Sequence, residues 1–273
     1  MDTLYSPQLL GLLSIGLLCT GAIAGVLAGL LGVGGGIVIV PVLFLLFHAI
    51  NIPEHLVMYL AVATSLATII PTSIASARAH HKRGTIDVAL LRSWAPWIVL
   101  GAAVGGLLSK VLDSSSLTLI FGCIALAVSI NMALPRKIIL SDHLPSGQPV
   151  IAGGIGLFSA LMGIGGGTLT VPVLTAVSFP IHRAVGTAAA FGLLIAVPAV
   201  VGFVWSGWGV AGRPPFSLGY VSIPAAVLIF STSTFTAPIG ARIAASLDPA
   251  RLRIAFAVFL FLSSVKMLWS VLG

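Results

Sequence analysis

The chain has 273 residues, 58% of them hydrophobic and only 7% charged, with a formal net charge of +7 and a mean hydropathy of +1.17. A soluble domain carries about a quarter of its residues as charges, so this composition excludes a soluble globular protein. The basic residues are scattered over short loops rather than gathered in one patch, which argues against nucleic acid as a partner.

Windows of about 20 apolar residues recur, the length a helix needs to cross a hydrocarbon core. The short alternating segments of a transmembrane β-barrel are absent. Breaks at charges, prolines and glycines divide the first part of the chain into apolar segments at 8–31, 35–48, 57–77, 88–109 and 116–134. After a polar stretch at 135–148 they resume at 149–163, 167–179, 184–204, 219–241 and 252–272. The N-terminus has Asp2 and no basic residue before the first apolar run. It therefore lacks the flank of a cleaved signal, and 8–31 is expected to stay in the membrane. Cys19 and Cys123 both lie in apolar runs and are expected to behave as small hydrophobes.

One stretch occurs twice. Residues 32–43 read GVGGGIVIVPVL and residues 163–174 read GIGGGTLTVPVL, with eight of twelve positions identical at an offset of 131. Further matches are weaker: Gly101 to Asp113 parallels Thr236 to Asp248, and Val62-Ala63-Thr64 parallels Val185-Gly186-Thr187. The chain reads as a duplicated unit, with a first membrane repeat at 1–135, a cytoplasmic linker at 136–148 and a second membrane repeat at 149–273. The fold expected is an all-α integral membrane protein in which each repeat has two arms around a glycine break, then three transmembrane helices.

Lys and Arg concentrate in cytoplasmic loops. In the first repeat the basic loop follows the first full-length helix, with Arg78, Lys82 and Arg83; in the second it is the next loop, with Arg242, Arg251 and Arg253. Charge has moved to the opposite end of the unit, as inverted repeats predict. If the two arms around the second break make an even number of crossings, ten of the thirteen Lys and Arg fall inside and both termini lie outside. An even number fits either re-entrant half-helices or two complete crossings.

Each glycine cluster would start a helix whose first N–H groups are unpaired and whose dipole points its positive end into the break. Such starts bind anions in soluble proteins and in transporters with discontinuous helices. Gly34, Gly35 and Gly36 in one repeat, and Gly165, Gly166 and Gly167 in the other, are therefore the candidate binding backbone. Thr168 follows the second cluster, as does Thr170, where the first repeat has Ile37 and Ile39. Thr64 and Ser65, with Thr68, share a helix face by spacing, and Thr187 is their match in the second repeat; all could donate to an oxyanion. The competing role for these hydroxyls is back-bonding to a carbonyl one turn earlier. Small residues at spacing four, Gly21, Gly25 and Gly29, suit close helix packing. The run Ser231 to Thr236 would either line a water path or bond to another helix. All six carboxylates fall in loops or at segment ends, so no coupling residue within the membrane is evident. The six histidines form no ligand cluster, and neither a metal nor a cofactor is expected. No nucleophile and base pair suggests an enzyme.

The run Gly-Leu-Leu-Gly-Val-Gly-Gly-Gly continuing to Val-Pro-Val-Leu, repeated half a chain later, resembles the TauE/SafE sulfite exporter family, also called toluene-sulfonate uptake permeases. The resemblance covers essentially the whole chain. It implies an inner-membrane carrier built by duplication that moves sulfite, sulfonates or related organic anions. Matching positions are Gly34 to Gly36 with Pro41 and Gly165 to Gly167 with Pro172. A Gly-Thr-Ser expected after each hairpin reads Ala63-Thr64-Ser65 and Gly186-Thr187-Ala188 here. The expected function is secondary transport of a small sulfur-containing anion out of the cell, with an anion channel or a carrier of non-sulfur anions as alternatives. The implied partners are that anion and the bilayer, with a homodimer as the one protein assembly considered.

Overall fold

The computed structural model describes residues 7–31, 35–133, 147–243 and 249–272. Gly34, linker residues 136–146 and Asp248 lie outside the described residues, as do the side chains of Arg242, Arg251 and Arg253.

Among the described residues ten helices fall on the ten apolar segments of the sequence, displaced by a few residues at their ends. They are α1 (Pro7–Leu31), α2 (Gly36–Ala49), α3 (Glu54–Lys82), α4 (Val88–Leu108) and α5 (Ser114–Ala133), followed by α6 (Gln148–Met162), α7 (Gly167–Ala176), α8 (Ile181–Ser206), α9 (Ile223–Ile243) and α10 (Pro249–Leu272). Among the described residues five stretches, in α1, α3, α4, α5 and α8, are long and apolar enough to cross a membrane. A two-stranded antiparallel hairpin, β1 (Ser217–Leu218) and β2 (Val221–Ser222), interrupts the loop before α9. Nothing in the hydropathy of that loop announced it.

Helix packing relates the two halves in a reciprocal way. α1 lies against α9 and α6 lies against α4, each arm on the fourth helix of the other half. Small residues make both contacts close. A side chain at Gly25 would run into Ser233 and Thr236, and one at Gly156 into Ile98 and Ala102. Gly25 and Gly156 are 131 residues apart, the offset of the doubled glycine stretch. The polar run of α9 serves this contact, since the Thr232 hydroxyl donates to Leu18 O at 2.9 Å. Ser231, Ser233, Thr234 and Thr236 bond back to their own helix, the common fate of hydroxyls in apolar helices.

α3 and α8 form the buried centre and run antiparallel. Ser73 of α3 meets Gly192 of α8, and beyond the end of α3 Thr85 meets Gly186. The α3–α4 turn is tied to the first turns of α8 by an ion pair of 2.7 Å between Asp87 and Arg183. Asp87 also caps α4, its Oδ1 accepting from Leu90 N at 2.9 Å. On the other side of the molecule Tyr59 of α3 stacks on Tyr220 of the β hairpin, ring centroids 4.7 Å apart, and donates its hydroxyl to Leu112 O.

Candidate functional site

One left-handed glycine directly precedes α2 and another directly follows α6. Gly35 has φ +74° and Gly163 has φ +67°, a region that side chains with a Cβ enter at a cost of roughly 1–2 kcal/mol. At Gly163 the reason is a helix stop: Gly163 N donates to Ala160 O at 3.2 Å and Ile164 N to Ser159 O at 3.0 Å. These two bonds close the C-terminus of α6 and satisfy carbonyls that lipid could not. The next amides belong to the start of α7, which has no side-chain cap. α2 likewise starts after Gly35 without one.

The two breaks meet. A Cβ on Gly36 would lie 2.6 Å from Gly163 O and 3.0 Å from Ile164 Cα, and one on Gly163 would lie 2.8 Å from Val62 Cα. Farther along, Gly166 abuts Ala188 O at 2.5 Å by the same measure, which seats the second break between α3 and α8. Residues 161–168 are buried without exception, so the centre is closed to solvent.

Hydroxyls decide what this centre can do. Among the described residues five buried hydroxyls lack a hydrogen-bond partner: Ser159, Thr168, Thr170, Ser206 and Ser217. The first three flank the second break and are 0%, 3% and 0% exposed; the other two lie at the end of α8 and in β1. A buried hydroxyl without a partner costs about 1–3 kcal/mol, and these three carry that cost within a few residues of the break. Thr168 lacks a partner for a geometric reason, since in the first turn of a helix there is no carbonyl one turn behind it. Ser159 was not evident from the sequence, where it sits in the apolar run before the break. Its position one turn before a helix-stopping glycine was the available signal.

The other sequence-selected hydroxyls are engaged in holding the fold. Ser65 donates to Gly163 O at 2.7 Å and so pins the second break to α3. Thr64 accepts from Ser222 N at 3.0 Å, and Thr187 accepts from Asp87 N at 2.9 Å. Each threonine thus grips the residue immediately before the fourth helix of one half, α9 or α4. Their places in the two halves are not equivalent by alignment. Pro53 and Pro180, and Pro71 and Pro198, share an offset of 127, whereas the threonines are 123 apart. They do the same work from positions one helical turn apart. Of the predicted set, then, Gly36 and Ser65 meet the second break at Gly163 and Gly166 meets α8, while the Thr64 and Thr187 hydroxyls face loop amides.

A separate cavity of about 390 Å³ opens where α2, α3 and the α4–α5 turn meet, lined by His48, Glu54, His55, Asp113, Ser114 and others. Hydrogen bonds from the Ser116 hydroxyl and amide hold the Asp113 carboxyl below its usual range. None of the residues lining this cavity belongs to the glycine breaks, and no three His, Cys, Asp or Glu among the described residues group as metal ligands.

Apolar helices of membrane-crossing length define a multi-pass membrane protein. The chain belongs to the sulfite exporter TauE/SafE family, whose sequence profile matches residues 17–267. A probable membrane transporter protein of Haemophilus influenzae is 41% identical over 256 residues, covering 92% of this chain and 97% of the relative. A probable membrane transporter protein of Methanocaldococcus jannaschii is 29% identical over 262 residues, covering 92% and 94%. No solved structure matches the chain significantly.

Proposed function

We propose that this protein is a secondary transporter for a small sulfur-containing anion of the sulfite or organosulfonate type, carried outward by alternating access to a site between two inverted repeats. The observation that carries the reading is the uncapped start of α7, with three buried hydroxyls left without partners around it. A helix start presents N–H groups and the positive end of its dipole. Hydroxyls at the same place add protons to donate.

The helix contacts support inverted repeats, α1–α5 and α6–α10. α6 begins beside the start of α4, where Trp94 Nε1 donates to Gln148 Oε1 at 2.9 Å, and runs parallel to α4 as far as the break. By Arg183 the chain has returned to the start of α4, at Asp87. The α6–α7 pair is therefore a re-entrant hairpin in this reading. α1 and α2 form its counterpart: Gly35 lies by Ala24 and Gly16 by Leu46, so the two arms are antiparallel, and α2 leads back to the start of α3. With α3 and α8 antiparallel, the hairpins enter from opposite faces and touch at Gly36 and Gly163. The excess of basic residues favours a cytoplasmic α3–α4 turn, which in this reading leaves both termini outside an inner membrane.

The sealed centre supports a carrier over a channel. An ion path would have to pass a region where glycines contact backbone of the other half, whereas rocking of one half against the other would open each side in turn. Reconstitution tests this directly. Proteoliposomes loaded with sulfite, taurine or sulfoacetate should show saturable efflux that an opposing gradient of the same anion accelerates. Absence of flux with every sulfur oxyanion would remove the substrate assignment, and flux that never saturates would turn the protein into a channel.

A further inference from the structure

We propose, building on the alternating-access reading, that two contacts between the halves are the gates on either side of the centre. Thr64 and Tyr59 hold the β hairpin as one gate, and Thr187 and Arg183 hold the α3–α4 turn as the other.

Both gates follow one plan. A threonine hydroxyl in one half accepts the backbone amide that precedes the fourth helix of the other half, Thr64 from Ser222 N at 3.0 Å and Thr187 from Asp87 N at 2.9 Å. One side-chain pair reinforces each grip, the Tyr59–Tyr220 stack at the hairpin and the Asp87–Arg183 ion pair at the turn. All four contacts join one half to the other. Each gripped segment is also fastened to its own half. In the hairpin Arg213 Nη1 donates to Gly219 O at 3.2 Å, and at the turn His80 Nδ1 lies 2.9 Å from Thr85 Oγ1. Rocking can therefore release either segment from the opposite half without unravelling it. The two grips lie at the two ends of the second break. Ser65, beside Thr64, donates to Gly163 O, and Ala188, beside Thr187, abuts Gly166. The hairpin reaches inward to its grip, with Phe216 exposed and Tyr220, Val221 and Ser222 buried. Water entering an opened face satisfies the freed amide, so exchanging one grip for the other is nearly balanced. Charge reinforces one gate and aromatic surface the other, so substitution can loosen either alone.

Labelling of buried cysteines by a water-soluble maleimide tests the assignment. Cys19 and Cys123 are first replaced by serine, since both are exposed. One reporter is then placed at each gate, Ser73→Cys between the turn and the centre or Val221→Cys in the buried strand of the hairpin. Arg183→Gln/Thr187→Val removes both contacts of the turn. It is expected to speed labelling of Ser73→Cys at least tenfold and to slow that of Val221→Cys at least twofold, because a protein open on one face is closed on the other. Tyr220→Leu/Thr64→Val should do the reverse. Where a double variant does not elute as a monodisperse species, Arg183→Gln or Tyr220→Leu alone should give smaller shifts of the same signs. Both reporters faster in one variant, or the distant reporter unmoved, would overturn the gates, since a staple that only supports the fold loosens its own surroundings. Saturable sulfite counterflow in the unaltered protein tests alternating access separately. Counterflow without opposed labelling overturns the gates alone, and absence of both overturns the transport reading with them.

Discussion

The two glycine stretches place their left-handed residue at different points, before α2 in the first and after α6 in the second. At the first, Gly35 turns the chain with φ +74° and the helix that follows buries Ile37, Val38, Ile39 and Val40. At the second, Gly163 turns it with φ +67°, Ser65 fastens the turn, and the helix that follows buries Thr168 and Thr170. Backbone geometry leaves little freedom at the left-handed positions, so glycine stands at both. Nothing in that geometry dictates the side chains that follow, which are Ile37 and Ile39 in one helix and Thr168 and Thr170 in the other.

The sharpest way to break this comparison is to add one methyl group to each turn. Both Gly35→Ala and Gly163→Ala incur the left-handed penalty of roughly 1–2 kcal/mol. At Gly163 the new Cβ also meets Val62 Cα at 2.8 Å, whereas at Gly35 its nearest neighbour is Ala24 O at 3.1 Å. Overpacking against backbone adds about 1–3 kcal/mol, so Gly163→Ala should lose most of its folded, monodisperse protein in detergent while Gly35→Ala keeps it. Size-exclusion profiles of the two variants check this; similar yields would mean that the second turn is no tighter than the first. For the same reason Gly166→Leu is a poor probe of binding, because its side chain would strike the α8 backbone first.

Threonines supply the next contrast. Thr64→Val strands the buried Ser222 amide and should destabilise by about 1–3 kcal/mol, with Thr187→Val somewhat less because Asp87 is partly exposed. Thr170→Val removes a hydroxyl without a partner, so the ligand-free protein should melt at the same temperature or higher. Melting curves of the three valine variants decide the matter, and a destabilised Thr170→Val would mean that its hydroxyl serves the fold. A smaller effect is expected for Ser65→Ala, about 1 kcal/mol from the lost bond to Gly163 O. The least is expected from Arg183→Gln. Arg183 is 52% exposed, and pairs so placed contribute about 0–1 kcal/mol; the melting temperature should barely move.

Much of the fold was legible because hydropathy and glycine punctuation act locally. Segment ends were displaced where the signal is conformational. α7 stops at Ala176 because Ser178 turns left-handed at φ +59° and Phe179 N bonds back to Leu174 O, while an apolar run cannot register that turn. The same turn occurs after α2, where Asn51 has φ +55° and Ile52 N bonds to Phe47 O. The site was only half legible. Doubled glycines marked the breaks, but which way a hydroxyl faces depends on packing between distant segments. Thr64 and Ser222 are 158 residues apart, and no spacing rule links them. Ser159 was hidden for the converse reason, as a lone serine in an apolar helix ordinarily bonds to its own backbone.

The account rests on the hydroxyls around the second break, and its most direct test is sulfite binding to wild type and to Thr168→Val/Thr170→Val, read as a shift in melting temperature. At a hundredfold excess over the dissociation constant a specific ligand stabilises by about 2.7 kcal/mol. The prediction is a clear upward shift in the wild type and none in the variant, whose ligand-free melting temperature is equal or higher. A variant stabilised by sulfite as much as the wild type would contradict the account.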